Sequence, residues 1–145
     1  MQTVISDTSF LFSLFGNDTH TLSAKNWVGQ KRLPIAVSVF NQYEFQNAIR
    51  FAAFRKVISG TEAIAALDAF ETDLNSGHLQ TISVDLSAVL IDASNLSARH
   101  TMGGGHRSFD ILHVAVARIL KANTFLTFDE NQRKLAKSVR LEVGP

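Results

Sequence analysis

The stretch from Arg107 to Asp129 limits the fold more than any other part of the chain. Ile111 to Leu120 is dense in Ala, Val, Ile and Leu; Lys121-Ala122-Asn123 then leads to Thr124-Phe125-Leu126-Thr127-Phe128 and Asp129. The first part predicts a buried helix with Ser108 as its cap. The second is a short apolar run rich in Thr and Phe, which predicts a buried strand. Asp110 stands at the helix start and Asp129 just past the strand. A helix, a short connection, a strand and an acid make half of a parallel α/β unit. That arrangement sets both carboxylates at one edge of a sheet.

The remaining chain repeats the alternation. Thr3 to Ser6, Ile35 to Ser38, His78 to Val84 and Val139 to Val143 are strand-like. Between them, helices are expected at Phe10 to Phe15, Asp18 to Gln30, Val39 to Arg55, Gly60 to Ser76, Asp85 to Arg99 and Glu130 to Lys137. In the third of these, Phe40, Tyr43, Asn47, Phe51 and Phe54 recur at helical steps. In the fourth, Ile64, Leu67, Phe70 and Leu74 are expected to face inward. Gly103-Gly104-Gly105 reads as a hinge loop. Five strands alternating with helices imply one α/β domain over residues 1–145, a three-layer, doubly wound, mostly parallel five-stranded sheet.

Composition narrows the chemistry. No apolar run approaches the roughly 18 residues of a membrane span. The start, Thr3-Val4-Ile5, has no signal-type pattern, so a cytoplasmic protein is expected. The absence of cysteine rules out disulfides, thiolate catalysis and sulfur-ligated zinc. The formal charge is only +1, but Arg99, His100, His106 and Arg107 gather around the glycine triplet.

Four acids fall where a parallel sheet presents its strand ends. Asp7 follows the first strand, Glu44 lies in the helix after the second, Asp110 opens the central helix and Asp129 follows the fourth strand. Thr8, Ser9 and Thr127 stand beside them as supporting hydroxyls. Each acid alone also has an ordinary explanation. Asp7 and Asp129 suit helix N-caps, and Asp110 suits the positive end of a helix dipole. Glu44, on a helix side shared with Phe40 and Ala48, is harder to explain without a partner. Together, four carboxylates without sulfur or paired histidines describe a hard-cation site for Mg²⁺ or Mn²⁺, and hence phosphoryl chemistry.

Val4-Ile5-Ser6-Asp7-Thr8-Ser9, a helical Glu44, Asp110-Ile111-Leu112-His113-Val114-Ala115 and Leu126-Thr127-Phe128-Asp129 resemble, in that order, the signature of PIN-domain ribonucleases. Size and element order resemble the VapC-type toxins of toxin–antitoxin pairs. The resemblance implies that Asp7, Glu44, Asp110 and Asp129 hold Mg²⁺, with Thr8, Ser9 and Thr127 in support. It further implies RNA cleavage, a homodimer and inhibition by a cognate antitoxin. Because four carboxylates repel a phosphate backbone, flanking cations are expected, with Arg99, Arg107 and Arg118 nearest in sequence. His113 is expected to be a packed helix histidine, and the aromatic residues mostly core. The alternative class is a non-catalytic PIN-like or receiver-like protein-binding module.

Overall fold

The computed structural model describes residues 2–145 and contains a five-stranded sheet in the order β3-β2-β1-β4-β5. The strands are β1 (Val4–Ser6), β2 (Ile35–Val37), β3 (Leu79–Thr81), β4 (Thr124–Leu126) and β5 (Glu142–Gly144), and every neighbouring pair is parallel. Strand order therefore reverses between β1 and β4, where Ile5 sits opposite Phe125. A receiver-like sheet runs 2-1-3-4-5, so the receiver alternative loses its fold. The sheet is fully parallel, where the helix–strand alternation implied a mostly parallel one.

Among the described residues, seven helices cover it: α1 (Thr8–Phe15), α2 (Thr21–Lys31), α3 (Val39–Phe54), α4 (Gly60–Ser76), α5 (Leu86–Gly104), α6 (Ser108–Ile119) and α7 (Glu130–Ser138). Successive strand residues point to opposite faces and so feed two cores. Val4, Ile35, Val37 and Leu126 meet Phe10, Phe45 and Phe70 of α1, α3 and α4. Ile5, Ala36 and Phe125 meet Val89, Leu96, Val114 and Leu135 of α5, α6 and α7. The three layers follow directly.

Several local expectations fail, each for a physical reason. The buried side of α3 is Asn41, Phe45, Ile49 and Ala52, whereas Tyr43, Phe51 and Phe54 are exposed. This helix carries two apolar stripes, and periodicity alone does not say which one meets the sheet. In α4 the inward side is Ala63, Ala66 and Phe70, with Leu67 and Leu74 partly buried against the same core; of the four residues expected inward, Ile64 alone faces solvent. The expected hinge is instead the end of α5, which runs through Gly103 and Gly104 and stops at left-handed Gly105 (φ 67°). A Cβ on Gly104 would lie 2.5 Å from the His106 imidazole Nε2, so the ring folds back over a residue that has no side chain. Arg107, not Ser108, holds the N-cap position of α6, and its side chain makes no capping bond.

Candidate active site

Asp7 ends β1 and caps α1. Its Oδ1 accepts the Phe10 amide at 3.0 Å and the Ser9 hydroxyl at 2.7 Å, while the Thr127 hydroxyl donates to Oδ2. The carboxyl is buried, and that burial pushes its pKa up against the pull of these donors. The loop after β4 is stitched to the loop after β1. The Phe128 amide donates to Ser9 Oγ at 3.0 Å, and the Asp129 amide to Thr127 Oγ1 at 2.9 Å. Asp129 is exposed and caps α7, its Oδ1 accepting the Gln132 amide at 2.8 Å. Thr8, Ser9 and Thr127 thus all support carboxylates, and the N-cap explanation of Asp7 and Asp129 holds as well. A cap bond occupies only part of a carboxylate's accepting capacity, so a capping acid can still accept from other donors.

Glu44 projects from α3, partly buried. Its Oε1 accepts from His113 Nε2 at 2.7 Å and from the Thr8 hydroxyl. Burial raises its pKa, but the hydrogen bonds from His113 and Thr8 outweigh that and hold the carboxyl below its ordinary value. Asp110, in the first turn of α6, is the contrast. Its carboxylate has no hydrogen-bond donor among the described residues. Burial first, then the charges of Glu44 and Asp129, push its pKa up to about 6. Asp7 adds to the same push. Four acids from four separate segments therefore share one electrostatic neighbourhood beside the C-terminal ends of β1 and β4, the ligand crevice of such a sheet.

The chemistry of this set suits a hard divalent cation: oxygen donors, no sulfur, and a half-buried carboxylate that accepts no hydrogen bond among the described residues. Among the described residues, no three His, Asp or Glu side chains close together at metal-binding distance, so the cluster is open. Arg107 and Arg99 are exposed and form no ion pair among the described residues. Arg118 is not brought to the crevice. It lies eight residues beyond Asp110 on α6, about 12 Å along the axis, with its Nε 3.1 Å from Asp92 Oδ2. Tyr43 and Phe109, each beside one of the acids, place their rings 6.1 Å apart.

His113 is fully buried, as expected, yet its Nε2 lies on a candidate ligand. Its place three residues after Asp110 on the same helix was the available signal, since residues i and i+3 share a helix face.

Residues 4–138 match the family model described as PIN domain. No curated protein matches the chain significantly. Among solved structures, VapC20 of Mycobacterium tuberculosis, titled a sarcin-ricin loop cleaving toxin, is 19% identical with a TM-score of 0.70, covering 91% of this chain and 94% of its own. VapBC2 of Rickettsia felis, bound to a DNA fragment from its promoter, is 18% identical with a TM-score of 0.68, covering 99% and 98%. FitAcB of Neisseria gonorrhoeae is 13% identical with a TM-score of 0.62, covering 99% and 97%. At these identities the likeness is one of fold.

Proposed function

The chain belongs to the PIN-domain family, and from that premise we propose that it is a divalent-metal-dependent endoribonuclease, the toxin of a VapC-type toxin–antitoxin pair. The observation that carries the reading is Asp110. It is a half-buried carboxylate without a donor, with a pKa pushed up to about 6 by burial and by its acidic neighbours. A protein gains nothing in stability from such a group, and a cation would offset its charge.

In this reading Asp7, Glu44, Asp110 and Asp129 hold Mg²⁺, with Mn²⁺ as a substitute. Such an ion offsets charge on a scissile phosphodiester and acidifies water. The chain's own groups do the positioning. Thr127, Ser9 and the Phe10 amide fix Asp7, Thr8 and His113 fix Glu44, and Asp129 is set by its cap on α7. Arg99 and Arg107 offer cations to the RNA backbone that the carboxylates would otherwise repel.

In the same reading the chain forms one domain and works in the cytoplasm. No described helix is long and apolar enough to cross a membrane. Its partners are a second copy of the chain and a cognate antitoxin. Exposed apolar residues on α3 (Tyr43, Phe51, Phe54) and on α5 (Leu86, Leu90, Ile91) support an association face.

The test is cleavage of single-stranded RNA by wild type, Asp110→Asn and Asp129→Asn, in Mg²⁺ and in excess chelator. Cleavage should require the metal and fall by orders of magnitude in both variants. Full activity in chelator, or in both variants, would overturn the reading.

A further inference from the structure

One face of the Glu44 carboxylate is held by a buried chain that begins at the cap of α3. Ser38 and Asn41 form a capping box, in which Asn41 Oδ1 accepts the Ser38 amide at 3.1 Å. That bond fixes which end of the Asn41 side chain is oxygen. The other end, Nδ2, donates to the Ser6 carbonyl at 2.8 Å and lies 3.2 Å from His113 Nδ1. An amide nitrogen only donates, so His113 Nδ1 must accept and carry no proton. The neutral ring then has its hydrogen on Nε2, 2.7 Å from Glu44 Oε1. Asn41 and His113 are both fully buried, so water does not compete for either bond.

We infer that His113 is a positioning residue for the reaction. Its Nε2–H tautomer, fixed by Asn41, pins Glu44 through Oε1 and leaves Oε2 as the atom presented to the crevice. Thr8 acts on the same oxygen, so both donors lie on one side of the carboxylate. The assignment rests on reading Glu44 as a cation ligand. Without His113 the carboxylate keeps only Thr8 and turns more freely about its last two bonds. Losing such an outer partner typically weakens a metal site about 10- to 100-fold.

Two measurements decide it. The first is a long-range ¹H–¹⁵N spectrum of the metal-free protein with ¹⁵N-labelled histidine. His113 should show a protonated Nε2 and a bare Nδ1 in wild type, and a protonated Nδ1 in Asn41→Asp, where an oxygen replaces the donor. The second is calorimetric Mn²⁺ binding by His113→Gln and His113→Leu. The Gln amide still donates toward Glu44 and should bind Mn²⁺ within a few-fold of wild type. Leu keeps the volume without the donor and should bind about 10- to 100-fold more weakly. A protonated Nδ1 in wild type, or equal Mn²⁺ affinity in the Leu and Gln variants, would overturn the inference. Should wild type neither bind Mn²⁺ nor cut RNA, the nuclease reading falls, while the spectrum still decides the tautomer.

Discussion

Asp110 and Asp129 look alike in the sequence and should respond differently to the same substitution. The Asp110 carboxyl holds its proton more tightly folded than unfolded, with a pKa raised from 3.8 to about 6. The metal-free protein therefore loses stability as pH rises through that window and is level above it. Asp110→Asn should remove the loss, gaining about 1 kcal/mol at pH 7.5 after allowance for exposure, and far less at pH 4.5. Urea unfolding in chelator at the two pH values checks this, and an equal gain at both would refute it. Asp129→Asn keeps the cap on Gln132, so its metal-free stability should move by only a few tenths of a kcal/mol. The positions of the acids were legible because Asp7 directly follows β1 and Asp129 lies just beyond β4, past Thr127 and Phe128. The role of His113 was not, since it depends on which way the Asn41 amide is turned, and a cap formed three residues earlier decides that.

Among the elements, α6 and β4 were readable because most of their residues are apolar and form continuous runs, which favours a buried environment. The face of α3 was not readable. Phe45 and Ile49 compete with Tyr43, Phe51 and Phe54 for the sheet, and the buried polar Asn41 breaks the apolar pattern on the winning side. The start of α6 holds a second lesson. An arginine at an N-cap position leaves the first amides of the helix without a side-chain acceptor. Arg107→Ser should cap them and stabilise the fold by about 0.5–1 kcal/mol. The same change should weaken RNA binding and lower its salt dependence, because one phosphate contact is lost. Thermal melting and RNA titrations at several salt concentrations would show the two effects moving in opposite directions. Weaker folding together with unchanged RNA affinity would contradict both halves.

For the whole molecule, the exposed aromatic residues of α3 should be covered in solution. Phe54 is 78% exposed and Phe51 53%, and burying such side chains is worth about 1.5–3 kcal/mol each. Sedimentation equilibrium should find wild type dimeric and Phe54→Glu shifted to monomer, with the helical circular-dichroism spectrum unchanged. A monomeric wild type would count against this face. The sheet topology also has a consequence for when the protein becomes dangerous. The central strand β1 has both its neighbours still to come when it leaves the ribosome, and the bond between Asp7 and Thr127 spans 120 positions. Chains emerge N-terminus first, and contacts this distant form late. A half-made chain carries Asp7 and Glu44 but lacks Asp110, Thr127 and Asp129. Under the proposed activity, the nascent polypeptide is harmless to the message it is being translated from, and that message is at risk only once nearly the whole chain has been made.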